Sequence, residues 1–178
     1  MSKTALILVD CQADNIAVGQ DYPIKRFKDG YSPVDLIIAS RRYASKVCKK
    51  GTPGARINPY VSKQAQVLVT KDGGAAPSAF EGGSLRPIES TERILKAHGI
   101  TDVIVGGYFI EWSVSQTAFD ASALGLKTTL DLSITASEDG IDYSDCYDTI
   151  DFGPESIFGR LENAGVHIVI SHPATMDS

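Results

Sequence analysis

Apolar residues along the chain gather into short runs, separated by polar stretches rich in glycine and proline. Ala5–Val9 is apolar without a break, as expected of a strand buried on both faces. Similar runs lie at Asp35–Ala39, Gln66–Thr70, from Val103 onward, at Lys127–Ile134 and at His167–Ser171. Between them the period becomes helical. Asp21 as N-cap, Pro23 in the first turn, Ile24 and Phe27 on one face and Gly30 as the stop predict a short helix. Ile88, Thr91 and Leu95 line another, ending at His98 with Gly99 just beyond. Val114, Thr117, Ala118, Ala121 and Leu124 recur at helical spacing, and a further helical region ends in Ser156–Gly165. Arg41 to Lys50 is basic, Gly51–Ala55 reads as a turn, and Asp72–Gly83 as a long glycine-rich loop. Strands alternating with helices predict an α/β fold with a six-stranded, mostly parallel, doubly wound sheet. No repeat, low-complexity tract or linker interrupts the pattern, so residues 1–178 are expected to form one domain.

The stretch Val103–Ala121 carries the first chemical hint. An apolar strand is expected to turn through Gly106 and Gly107 into a helix whose first turn, with its free N–H groups, faces the crevice at the carboxyl edge of the sheet. Ser113 falls there, as a candidate nucleophile beside candidate oxyanion donors. Helix starts also favour serine simply for capping. Ligands of open α/β sheets bind outside the carboxyl ends of the strands. Asp10 follows the first strand, Lys71 the third, and Ser113 lies just past the fourth. An acid, an ammonium and a hydroxyl are therefore expected to converge.

Composition narrows the classes. A chain of 178 residues, 43% hydrophobic and 22% charged, suits one well-filled core. A net charge of −5 supplies no basic field for nucleic acid or an anionic membrane. No apolar run is long enough to span a bilayer, and Met-Ser-Lys-Thr leads into a strand, not a signal peptide. Cys11, Cys48 and Cys146 lack metal-like or redox-like spacing, which points to a reducing, cytoplasmic interior.

Four blocks resemble the isochorismatase-like cysteine hydrolases, most closely their nicotinamidase/pyrazinamidase branch. They are Ala5–Asp14 with Asp10 and Gln12; Gly51-Thr-Pro-Gly-Ala55; Lys71 followed by Ser78-Ala-Phe80 and Glu81–Leu85; and Gly107-Tyr-Phe-Ile-Glu-Trp-Ser113-Val with Thr117-Ala and Asp120-Ala. The resemblance implies a three-layer α/β/α architecture and hydrolysis of a small amide through an acyl-enzyme. Asp10 would take the nucleophile's proton, Lys71 would hold charge, and position 113 would attack the carbonyl. It also implies a cis peptide at Tyr108–Phe109, with the N–H groups of Phe109 and Ser113 as oxyanion donors. Gln12, Asn15, Phe80, Tyr108, Phe109 and Trp112 would form the substrate pocket, in a protein that self-associates as family members commonly do.

Three departures qualify that expectation. Ser113 stands where the family has cysteine. A thiol near pKa 8.5 is readily tuned to thiolate, whereas an alkanol needs a base during attack. A deliberate Cys→Ser replacement and a natural loss are the competing explanations. The positions of the family's metal ligands hold Arg42, Ala44 and Val47, which predicts no metal and no other cofactor; His98, His167 and His172 lie elsewhere. Asn15 replaces an aromatic that would hold a pyridine ring, so nicotinamide specificity is not implied. Cys48, among Lys46, Lys49 and Lys50, matches a non-catalytic family position. Two alternatives follow: a pseudoenzyme that sequesters a nicotinamide- or nucleotide-like ligand, and isochorismatase-type vinyl-ether hydrolysis. The latter would need a basic pocket drawn from Arg41, Arg42 and Lys71.

Overall fold

The computed structural model describes residues 2–31, 33–44, 46–71, 78–80 and 90–171. The strands are β1 (Thr4–Val9), β2 (Leu36–Arg42), β3 (Val67–Lys71), β4 (Asp102–Tyr108), β5 (Lys127–Ala136) and β6 (His167–Val169). They form one sheet in the order β3-β2-β1-β4-β5-β6, with every pairing parallel. The chain builds outward from β1 to β3, then returns to the centre and builds the other way. The reversal leaves a crevice above the carboxyl ends of β1 and β4.

Alternation along β1 creates the three layers. Ala5, Ile7 and Val9 face a cluster closed by Ile94 and Leu95 of α4 (Thr91–His98), Ala118 and Ala121 of α5 (Ser115–Ala123), and Phe158 and Leu161 of α6 (Ile157–Asn163). Leu6 and Leu8 face the opposite cluster, closed by Ile24 and Phe27 of α2 (Tyr22–Gly30) and Val61 of α3 (Pro59–Gln64). Every residue from Ala5 to Val9 is buried, each large one contributing about 1.5–3 kcal/mol of hydrophobic stabilisation. This α/β/α sandwich has the expected class, and all its strand pairs are parallel.

Several local expectations change. Gly106 and Gly107 do not turn the chain; β4 runs through both to Tyr108. A Cβ on Gly107, whose φ is +121°, would stand 2.1 Å from the Val9 carbonyl oxygen, and one on Gly106 would stand 2.7 Å from Ile134. These glycines serve close strand approach, beside a register shift between β4 and β5. β2 continues into the basic stretch as far as Arg42. Two short helices were not foreseen, α1 (Ala13–Gly19) and α3. The first has no side-chain cap and leaves Val18 exposed, so it lacks an apolar stripe. The second buries only Val61, although Asn58 caps it by accepting from the Tyr60 N–H. Leu124 is not part of the α5 stripe; it is the C-cap and 43% exposed. Before α6 the chain has turns and a 3₁₀ turn at Tyr147–Thr149 in place of a longer helical region. Ile88, most of the glycine-rich loop, Glu81–Leu85 and His172 lie outside the described residues. No helix among those described is long and apolar enough to cross a membrane.

Candidate active site

Asp10 is the first residue past β1 and takes a left-handed backbone conformation, φ +50°, which aspartate tolerates better than most side chains. Its N–H donates to the Ser40 carbonyl at 3.1 Å, and the Ser40 hydroxyl donates to Oδ1 at 3.1 Å. The carboxylate is thus held from β2 and fully buried. On Oδ2 it accepts from Lys71 Nζ at 2.6 Å, from the last residue of β3. The same ammonium donates to Ser113 Oγ at 3.3 Å. The acid, amine and hydroxyl do meet, and all three are buried. Lys71 lies between the other two, and Asp10 makes no hydrogen bond to Ser113 among the described residues.

Ser113 sits not in the first turn of α5 but in a π-turn, Ile110–Val114, that precedes it. Its wider pitch is closed by the Val114 N–H donating five residues back to the Phe109 carbonyl at 3.1 Å. The Tyr108–Phe109 peptide is cis, at the bond the family resemblance had singled out. Thr117 braces the turn from one helical step on. Its hydroxyl donates to the Ser113 carbonyl at 2.6 Å and accepts from the Ala79 N–H at 2.9 Å. The Ala79 carbonyl in turn accepts from Thr91 Oγ1 at 2.7 Å, tying Ser78–Phe80 to α4 and α5.

The expected pocket side chains are not equivalent. Gln12 is a strut: Nε2 donates to the carbonyls of Arg42 and Ala55 at 2.9 and 2.8 Å, while Oε1 accepts from the Arg42 N–H at 2.9 Å. Asn15 donates to the Asp10 carbonyl at 2.8 Å, supporting the acid from beneath. Tyr108 and Phe109 are packed into the cluster beneath α2 and α3, with their rings edge to face at 5.6 Å. Phe80 is half-buried against the opposite cluster. Trp112 is 60% exposed, its indole N–H donating to Glu138 at 2.8 Å.

Residues 4–139 match the family model of the isochorismatase domain. The chain belongs to the isochorismatase family. No curated protein matches it. Among solved structures, PnC1 from L. infantum in complex with nicotinate superposes with a TM-score of 0.73 at 20% identity, covering 96% of this chain and 93% of that one. The yeast nicotinamidase Pnc1p bound to the inhibitor nicotinaldehyde gives 0.71 at 19% identity, over 94% and 100% of the two chains. A pyrazinamidase of Pyrococcus horikoshii in complex with zinc gives 0.65 at 23% identity, over 94% and 99%.

In this member of the isochorismatase family, the positions at which the resemblance would place metal ligands hold other side chains. Arg42, Ala44 and Val47 carry no suitable side-chain ligand. No group of three or more His, Cys, Asp or Glu among the described residues could hold an ion. Cys48 is buried and donates to Asn15 Oδ1 at 3.6 Å, and its backbone N–H donates to Asp14 Oδ2 at 2.6 Å. Burial and the Asp14 charge push its thiol up to about 11, against the needs of a nucleophile. Burial and Asp10 also push the Cys11 thiol up.

Sequence reasoning overlooked Ser40 and, although it named Thr117 in the block around Ser113, gave that residue no role in the site. Ser40 shares a face of β2 with Arg42, two residues on, and that period of two was the available signal. Thr117 read as part of an apolar stripe, because nothing local distinguishes a packed threonine from one that bridges two backbone groups.

Proposed function

We propose that the protein is a metal-independent amidohydrolase fold of this family that cleaves the C–N bond of a small amide, and that Ser113 leaves it inactive or very slow. What supports this is the buried Asp10–Lys71–Ser113 contact at the carboxyl edge of the sheet. With a thiol at position 113, Asp10 removes the proton and Lys71 stabilises the thiolate. The sulfur then attacks the carbonyl carbon, the C–N bond breaks as the amine leaves with a proton, and water releases the acyl group. A serine hydroxyl lacks that route: an alkanol is far less acidic than a thiol and must lose its proton during attack, and Asp10 is not in hydrogen-bond contact with Oγ to take it. The same reading places the protein in the cytoplasm as a homo-oligomer, with Cys11, Cys48 and Cys146 free.

The test is S113C, assayed for ammonia release from nicotinamide, pyrazinamide and N-carbamoyl compounds. Turnover of at least one, far above the Ser113 protein, supports the reading; no turnover in a folded variant refutes it. The missing contact between Asp10 and Ser113 also favours a second reading, a pseudoenzyme that retains a nicotinamide- or nucleotide-like ligand. Co-purification of such a metabolite, seen by native mass spectrometry of the Ser113 protein, distinguishes it.

A further inference from the structure

The turn that carries Ser113 is anchored at the end of β5. Glu111 Oε1 accepts from the Ser137 hydroxyl at 2.6 Å, and Oε2 accepts from the Glu138 N–H at 3.1 Å. Glu138 in turn accepts from the Trp112 indole N–H at 2.8 Å. Two consecutive residues of the π-turn are therefore seated on the two residues that follow β5. β4 and β5 are paired up to Tyr108 and Ala136, so both arms of this clasp leave from one rung of the sheet. Glu111 is half-buried and makes no ion pair among the described residues; its two partners are neutral donors.

The anchorage is itself held. Ser137 is fully buried, and its hydroxyl accepts from the Asp139 N–H at 3.2 Å while donating to Glu111. Tyr22 donates to the carbonyls of Thr135 and Ile141 at 2.9 and 3.2 Å, and Gln20 donates to the Gly140 carbonyl at 3.2 Å. Inside the turn, the Phe109 carbonyl is shared by the N–H groups of Trp112 and Val114, at 3.2 and 3.1 Å. Those bonds close the turn; Thr117 braces it outward to Ala79, and Glu111 to the end of β5. The contact they serve is a long one. Lys71 Nζ donates to Ser113 Oγ at 3.3 Å, and a displacement of about half an ångström takes a bond of that length out of reach.

We propose that Glu111 is a positioning residue for position 113: its grip on Ser137 and Glu138 sets the turn where residue 113 meets Lys71. The inference rests on the reading of position 113 as the attacking position, and extends it from the reacting groups to the strand end that holds them. A carboxylate suits the task because its two oxygens take a hydroxyl and an N–H on successive residues. An amide has one acceptor and cannot hold both.

The test titrates the thiol of S113C, a readout that needs no turnover. Ultraviolet thiolate absorbance is followed against pH, and the matching Ser113 protein is subtracted so that the native cysteines and tyrosines cancel. The pairs are S113C against the parent, S113C/E111Q against E111Q, and S113C/E111A against E111A. Asp10 and Lys71, the charged groups at the thiol, are the same in every pair. Removing an acid two residues away would by itself lower the thiol's midpoint, whereas losing the Lys71 ammonium raises it. A rise of about one pH unit is expected with E111A, and a smaller rise with E111Q, which keeps one acceptor. Where S113C turns over an amide, E111A is expected to lower kcat about ten-fold with KM little changed. A merely structural Glu111 would lower the urea midpoint and leave the titration where it was. An unmoved or lowered thiol midpoint would overturn the proposal, and so would a loss confined to KM. If E111A does not fold, E111Q decides. An upward shift without turnover of any amide by S113C would sink the amidohydrolase reading and leave the role of Glu111 standing.

Discussion

One ammonium joins Asp10 to Ser113: Lys71 Nζ donates to the carboxylate at 2.6 Å and to the hydroxyl at 3.3 Å, with all three groups out of solvent. The acid and hydroxyl are linked through the lysine and not to one another. Removing Lys71 leaves the buried Asp10 carboxylate with only the more distant Arg42 Nε, 3.7 Å away, which takes part in no hydrogen bond with it. K71M is expected to cost about 3 kcal/mol or more in denaturant unfolding. The double variant D10N/K71M is expected to recover part of that loss, and a double-mutant cycle reads the coupling directly. Strict additivity would show that the pair is not coupled.

Gln12 tests whether a residue expected in the substrate pocket serves structure instead. Q12A leaves the Arg42 N–H and the Arg42 and Ala55 carbonyls without their partner. A loss of about 2–3 kcal/mol of stability is expected. Urea melts of Q12A against the parent protein check this.

Thr117 bridges Ser113 to Ala79 through one hydroxyl. T117V keeps the shape and removes both bonds, at an expected cost of about 1–3 kcal/mol, whereas T117S restores most of it. Urea melts of the two variants check this. Equal losses in both would show that the methyl contact matters and the bridge does not.

Two glycines separate crowding from backbone strain. G107A places a methyl 2.1 Å from the Val9 carbonyl at φ +121°, forcing β1 and β4 apart, and is expected to abolish soluble folded protein. G125A has open space at φ +77° and is expected to lose only about 1 kcal/mol. Expression yield and thermal melts distinguish the outcomes.

Stability should decline in alkali. The Cys48 thiol is pushed up from 9.0 to about 11 by burial and then by Asp14, partly offset by Arg42. Tyr31 and Tyr108 are raised as well, first by burial. For each raised group the unfolded chain releases its proton first, so the stabilisation is complete below the unfolded value and disappears as pH climbs through the folded one. For Cys48 that window is about pH 9 to 11. Urea midpoints from pH 7 to 11 should fall across it, and iodoacetamide at neutral pH should label half-exposed Cys146 before Cys48 or Cys11. Flat midpoints would contradict the shifts.

The strands were legible because a parallel sheet covered on both faces writes itself as continuous apolar runs, and Ala5–Val9 could hardly be anything else. The α2 boundaries were legible from Asp21, Pro23 and Gly30. The π-turn at Ser113 was not, because its sequence has the period of an ordinary helix start. Gly106 and Gly107 read as a turn, since a glycine demanded by a neighbouring strand looks the same as one demanded by a bend.

The sequence by itself determined the class of fold, the strand ends at which polar chemistry accumulates, and the three residues Asp10, Lys71 and Ser113, because these follow from periodicity and order along one chain. Only the tertiary structure decided that Lys71 stands between the other two, that Gln12 is a strut, and that Arg42 pairs with Asp10 by charge and not by a hydrogen bond. Those relations depend on which strands become neighbours and on distances of a few ångströms across them, and a linear pattern carries neither.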